Sequence, residues 1–359
     1  MNEARATNDD AKNIVMTVAQ SGRYRVAYKR PTIIMQQRLQ LLIIGILLIC
    51  ACRVFAEGNA APTAEDKALA ARIRALIALA PGKPAQEYVV HALPNYREPH
   101  ELLVLTGATP VSEKQLADAR TAMTVLVQEF QRAIDWPTPP SFTVPHTVKP
   151  ITIDGKLADP AWKHAISFTR QYPFNQTQPA IAPKTTWHML WDARYLYVGM
   201  ECADTDIIAP VLPRDGEVFN HDCFEVLLLP EPATRKYWEL EVGATGSIFD
   251  ALNVKNMTIW GANYHPEVNM TGLRVATHID GVANKPGAVS RGYSIEMAIP
   301  FDQLPGMTPG QQATAGTHLH CLLTHFDRHA DGRLDLYAFC PVLTWVHNIW
   351  NYADMTLGK

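Results

Sequence analysis

From residue 185 to the C-terminus the chain is written almost entirely in short runs that alternate apolar and polar residues. In "RYLYVGMEC", Leu196, Val198, Met200 and Cys202 fall on every second position. The same habit runs through "TTWHMLW", "CFEVLLL", "KYWELEV", "GSIFDAL", "LRVATHI", "YSIEMAIP", "HLHCLLTHF" and "LDLYAFCPV", with Gly, Pro, Asn or Asp in nearly every gap. A period of two places alternate side chains on opposite faces of a strand, so each run reads as a half-buried strand closed by a turn. No helical pattern is interleaved, which excludes a doubly wound parallel sheet. The fold class expected for residues 151–359 is therefore all-β, an antiparallel β-sandwich of the jelly-roll or immunoglobulin-like kind.

One pairing can be set down in register. "THFDRHADGRLDLY" spells a hairpin centred near Ala330 and Asp331, which brings Cys321 opposite Cys340. Directly opposed residues are close enough to touch. Cys202, Cys223, Cys321 and Cys340 allow two disulfides in three connectivities, and free buried cysteine is the alternative. No C-x-x-C joins any two of them, so neither a zinc nor a thioredoxin-like site is indicated.

Upstream the pattern differs. In residues 57–134, Leu69, Ile73, Leu76 and Ile77 recur at helical spacing, and Pro81-Gly82 closes the segment. Ser112 with Gln115 forms a capping-box pattern, with Val111 placed to staple onto Leu116; Met123, Val127, Phe130 and Ile134 continue that face. "EYVVHAL" and "HELLVL" between the helices read as two short strands. Residues 135–150 carry Pro137, Pro139, Pro140, Pro145 and Pro150, too many missing N–H donors for a helix or a central strand, and read as an extended linker.

Earlier still, "MQQRLQLLIIGILLICACRVFAEG" has a positive Arg38, an apolar core from Leu39 to Ala51 and a Val54-Phe55-Ala56 cleavage pattern. The apolar run is shorter than the ~20 residues that span a bilayer. Residues 35–56 are expected to be a signal peptide and the protein exported, periplasmic or extracellular. Residues 1–34 then mark an over-extended start. Membrane attachment enters only through lipidation at Cys52, in the lipobox-like Ile49-Cys50-Ala51-Cys52. The net charge of -3 and the lack of basic runs mixed with aromatics disfavour nucleic acid as a partner.

"ITIDGKLADPAW" opens the strand-rich part, with Asp154-Gly155 as a tight turn and Trp162 after an acidic step. Together with "LWDARYLYVGMECAD" (190–204), "RDGEVFNHDCFEVLLLP" (214–230), "YWELEVGATGSIFDA" (237–251), "GYSIEMAIPFDQL" (292–304) and "HNIWNYADMTL" (347–357), in that order, it resembles the family-nine carbohydrate-binding modules. The resemblance covers residues 150–359; the helix-rich region is not part of it. It implies a β-sandwich that holds an oligo- or polysaccharide between aromatic side chains, without chemistry of its own, in the company of polysaccharide-degrading enzymes.

A pyranose needs flat rings for its C–H faces and rigid hydrogen-bonding groups for its polar rim. The family pattern puts an aromatic a short fixed distance before an acidic strand residue, here Phe219 and Glu225; the family carries Trp at the first. Glu225 sits in an otherwise apolar strand, where a carboxylate needs a partner. It is either a hydroxyl acceptor or a structural acid paired with Arg214 or a turn. Trp345 and Trp350 are candidates for the second aromatic wall, and Trp260 and Tyr264, in the loop-like "NMTIWGANYHPE", for further contacts. Trp187, Trp191 and Trp238 lie in strand runs and read as structural.

No nucleophile–base pair, phosphate-cradling loop or G-x-S-x-G occurs, and alternation puts Asp222 and Glu225 on opposite faces, so the chain is not expected to be an enzyme. His318 and His320 share a face without a fixed third ligand, so no metal centre is assigned to them. "DTDII" and "HADGRLD" gather oxygen ligands, but neither has the full spacing of a calcium loop. No cofactor is expected, and the resemblance admits a structural calcium. Two alternatives share the architecture. One is a haem-binding electron-transfer sandwich using Met189, Met200, Met257, Met270 or Met297 with a histidine; the other is an envelope scaffold for protein contacts.

Overall fold

The computed structural model describes residues 60–81, 83, 85, 100–255, 262–285 and 287–359. The expected signal peptide, the segment before it and "EYVVHAL" lie outside the described residues. Among the described residues no helix is long and apolar enough to cross a membrane.

Among the described residues three helices precede the sheets: α1 (Ala64–Leu79), α2 (His100–Thr106) and α3 (Glu113–Ile134). The Ser112–Gln115 capping box forms as expected, and α1 carries a second one, between Thr63 and Asp66. Asp66 is fully enclosed and also accepts two bonds from Arg120 on α3, at 2.6 and 2.9 Å. One buried carboxylate thus caps α1 and ties it to α3. "HELLVL" is helical, not a strand: Leu102 and Leu105, one turn apart, are both fully buried, and a helix is the conformation that turns both inward. The far end of α3 meets the sandwich, where the Trp136 indole N–H donates to the Pro341 carbonyl at 3.3 Å and the Arg132 guanidinium to the Asn175 carbonyl at 2.6 Å.

The remainder is the expected antiparallel sandwich of two sheets. Its strands are β1 (Ser141–Val144), β2 (Ile166–Phe168), β3 (Tyr172–Pro173), β4 (Thr185–Trp191), β5 (Tyr195–Cys202), β6 (Cys223–Leu229) and β7 (Lys236–Gly243). They continue with β8 (Ile248–Lys255), β9 (Ala262–His265), β10 (Arg274–Asp280), β11 (Gly292–Pro300), β12 (His318–Arg328), β13 (Leu334–Ala338) and β14 (Ala353–Leu357). The larger sheet runs β1-β14-β12-β6-β7-β8-β9, with β13 on the other half of β12 and β3 beyond it; the smaller runs β10-β11-β5-β4-β2. The proline-rich stretch read as a linker supplies β1, an edge strand parallel to β14. Pro140 and Pro145 flank it, and an edge strand tolerates missing donors that a central one does not.

Between the sheets, Phe224, Val226, Leu240, Val242, Leu323 and Met355 pack with Trp187, Met189, Val198, Met200, Ile295 and Met297, all fully buried. Burying a side chain of this size contributes about 1.5–3 kcal/mol. Met189, Met200 and Met297, named above as haem ligands, are spent in this core. Trp187 and Trp191 lie in it as expected, and the Trp238 indole donates to the Gln303 carbonyl at 2.8 Å.

The β12–β13 hairpin forms, one residue out of the expected register. Thr324 opposes Ala338, because Gly332 at φ +87° closes a loop centred on Asp331 alone. A one-residue shift reverses which faces meet, and Cys340 lies past the end of β13. Cys202, Cys223, Cys321 and Cys340 are all free and buried.

Candidate functional site

The larger sheet has a second face, turned away from the smaller sheet. Thr185 on β4 bonds His325 on β12, so His325 and its register partner Phe224 point between the sheets. The intervening residues point outward: Glu225 on β6, Thr324 opposite it on β12, and Glu241 opposite it on β7. Glu239 and Tyr237 follow on β7, and Asn253 on β8 opposes Tyr237.

Three carboxylates, Glu225, Glu239 and Glu241, therefore meet on that face, with one oxygen of each within 4.8 Å of the others. All three are at least 95% buried. Side chains of the same face hold them: the Thr324 hydroxyl donates to Glu225 at 2.6 Å, and the Asn253 amide to Glu239 at 2.6 Å. His347 lies over them, bonded to the Tyr237 hydroxyl at 2.8 Å and 3.8 Å from Glu239. Burial, then the charge of Glu239, pushes the carboxyls of Glu225 and Glu241 well above the usual range. Oε2 of Glu241 and Oδ1 of Asn253 are buried with no donor reaching them. These two unpaired acceptors suit the hydroxyl donors of a polyhydroxylated ligand.

The cover is built from two turns. Phe219 lies half-buried in the turn Val218–Asn220, just before β6. The other is the segment 341–352, stapled by Asn351, whose amide accepts from Leu343 N–H and donates to the Leu343 carbonyl. Trp345 sits in it against Phe174 (5.6 Å between rings) and Phe326 (6.2 Å), the latter on the same outward face as Thr324.

Of the expected site residues, Glu225 and Trp345 thus share one face, and Phe219 lies in the turn that leads into β6, packed against the core. Trp350 is half-buried in the next turn, Ile349–Asn351, anchored through its N–H to Asn348. The backbone of Tyr264 is in β9 at the position opposite Asn253, and Trp260 lies outside the described residues. The alternative partner for Glu225 is corrected: Arg214 binds Asp250 at 2.5 Å and Asn269 instead. Asp222 and Glu225 do point to opposite sides. Asp222 is held by the N–H groups of Ile208 and Arg328. The histidines have separate partners, His318 on Thr356 and His320 on Asp354.

Glu239, Glu241, Asn253, Tyr237 and His347 were missed. The acids carried a signal, since Glu239 and Glu241 are two apart in "YWELEV" and share a face by alternation. His347 is about a hundred residues from Tyr237, and only the fold joins them.

Residues 153–327 match the family model described as "Carbohydrate family 9 binding domain-like". No curated protein matches the chain. A solved structure from Bacteroides uniformis is similar over 61% of this chain and 99% of its own, at 11% identity and a TM-score of 0.49. A carbohydrate binding module family 9 from Caldicellulosiruptor kristjanssonii, solved with cellotriose and with glucose, is similar over 61% of this chain. The two structures are covered to 94% and 96%, at 12% and 13% identity, each with a TM-score of 0.40.

Proposed function

We propose that this chain, whose residues 153–327 carry a carbohydrate family 9 binding domain-like domain, binds carbohydrate noncovalently on the outward face of its larger sheet. The observation that carries the proposal is the acceptor-rich cluster of Glu225, Glu239, Glu241 and Asn253 under half-buried aromatic side chains. Phe219 and Trp345 take the apolar C–H faces of a sugar ring. Hydroxyl groups donate to the buried acceptors as the covering turns at 218–220 and 341–352 give way. Each such bond replaces one to water, so it sets orientation more than affinity. Oligo- or polysaccharide is the partner, and no bond is made or broken.

The test is calorimetric titration of the protein with a panel of soluble oligo- and polysaccharides, repeated with Phe219→Ala. Saturable binding that weakens in the variant supports the proposal. A panel without a single binder overturns it.

Export and service to polysaccharide breakdown complete the proposal. They rest on the Met35–Ala56 leader pattern and on the company such modules keep. The N-terminus of the secreted protein tests the first, since a mature chain that retains residues before Met35 contradicts it.

A further inference from the structure

We propose that the outward face of the larger sheet selects a saccharide with a free amino group, held as its ammonium by Glu225, Glu239, Glu241 and Asn253. The proposal rests on the reading of this face as a carbohydrate site and names the class of sugar it takes. The acids come from the middle of two adjacent strands: Glu225 opposes Glu241 across the β6–β7 ladder, and Glu239 lies two residues along β7. One oxygen of each is within 4.8 Å of the others, and none of the three residues is more than 4% exposed. Like charges directly opposed in a sheet are destabilising unless something offsets them. The Thr324 hydroxyl and the Asn253 amide, which donate to Glu225 and Glu239, are neutral and do not offset charge.

A second observation points to a ligand rich in donors. Oε2 of Glu241 and Oδ1 of Asn253 are buried with no donor reaching them, and Asn253 is fully enclosed. Asn253 is bonded to Glu239, whose oxygen lies beside that of Glu241, so both unmet acceptors border one carboxyl group. A hydroxyl brings one donor and two lone pairs, and among carboxylate oxygens those lone pairs meet further acceptors. An ammonium brings three donors, no lone pair and a positive charge. Acetylation removes the charge and two of the three donors, which sets the free amine apart from its N-acetyl derivative. Burial and the neighbouring acids push the carboxyls of Glu225 and Glu241 well above their ordinary range. Without ligand the cluster therefore retains protons, and an ammonium in its midst favours the ionised acids. The proton leaves to solvent, an ion pair takes its place, and no covalent bond of the sugar changes.

The test uses the full chain and three β-1,4-linked trimers that differ only at C2: cellotriose with a hydroxyl, the glucosamine trimer with an amine, and its fully N-acetylated form. Calorimetric titration at about pH 6, where the amine carries its proton, is expected to show the glucosamine trimer binding at least about tenfold more tightly than either neutral trimer. Repeated in two buffers of different ionisation enthalpy, it is expected to show net proton release with the glucosamine trimer and none with cellotriose. Glu241→Gln is expected to abolish the preference. Wild type that binds cellotriose as tightly as the glucosamine trimer overturns the proposal and leaves the carbohydrate reading in place. Wild type that binds none of the three overturns it as well, and the wider saccharide panel then tests the carbohydrate reading by itself. A preference that Glu241→Gln leaves intact also overturns it. Where that variant does not fold, wild type decides: binding of the amine without proton release sinks the proposal.

Discussion

The indole N–H of Trp162 donates to the carboxylate of Glu296 at 2.8 Å, across 134 residues of chain. The other oxygen of Glu296 accepts the N–H groups of Asp154 and Gly155 at 2.7 and 2.6 Å, so one fully buried anion folds the turn that opens the sandwich. Glu296→Ala leaves three donors without an acceptor and is expected to cost about 3 kcal/mol or more, since each unmet buried group costs about 1–3. Trp162→Phe keeps most of the ring and loses one charge-assisted bond, about 1.5–3 kcal/mol. Urea unfolding of both variants checks the order; equal losses would contradict the shared-anion account. Gly155→Ala fails separately, because φ is +84° and an added Cβ would lie 2.4 Å from the Thr277 backbone.

Much of this was legible beforehand because alternation is local. Leu196, Val198 and Met200 declare a buried face with no knowledge of what covers it. The family-like turn at Asp154-Gly155 was visible, but its anchor Glu296 was not, because it arrives from β11. Residues 100–106 misled for a related reason: seven residues of mostly apolar chain fit a strand or a buried helix equally, and packing decides. The register of β12 and β13 turned on which loop residue takes the left-handed conformation, a choice Gly332 settles. Phe219 and Glu225 were read as a pair from the family pattern; the acids that meet Glu225 in the structure, Glu239 and Glu241, sit on the neighbouring strand, whose register no single run of sequence specifies.

Phe219 offers a smaller ring than the Trp the family carries at its position. If its face stacks on a sugar, Phe219→Ala should lower affinity about tenfold, matching the ~1.4 kcal/mol at the upper end of an aromatic contact. Phe219→Trp should raise affinity. Calorimetric titration of both, beside melting curves, separates lost contact from lost packing: a change in melting temperature without a change in Kd removes Phe219 from the site.

The acid cluster makes a pH prediction of defined sign. Burial holds the carboxyls of Glu225 and Glu241 above their ordinary value in the folded state. A group raised on folding contributes stability that is complete below its unfolded pKa, near 4.5, and that fades as pH climbs through the folded value. Glu241→Gln, neutral at every pH, should flatten this dependence and gain on wild type as pH rises above about 5. Denaturant midpoints from pH 5 to 8 measure it; parallel curves for the two proteins would count against the cluster.

Asp66 behaves in the opposite sense. Its bonds to Arg120, partly opposed by burial, lower its carboxyl from 3.8 to about 2. That stabilisation is present above the unfolded value and is lost as pH falls from about 4 toward 2. Helical circular dichroism should therefore decline in that window. Arg120→Met, with the ion pair gone, should begin its decline at a higher pH, and coincident curves would show that the pair does not govern the helices.

The four cysteines of the sandwich supply the last prediction. Burial raises the thiols of Cys202, Cys223, Cys321 and Cys340, so little thiolate exists near neutral pH and little reagent reaches it. A chain beginning at residue 57 should show no fast-reacting thiol with a colorimetric disulfide reagent when native, and four after denaturation. Reductant should leave its melting temperature unchanged, since there is no cross-link among these residues to break. Cys340 is near enough to Cys321 to push its thiol up further, after burial, so they are the pair to watch. A count of two thiols after denaturation without reductant would mean that they have joined, and the drop in melting temperature on reduction would measure what that bond contributes.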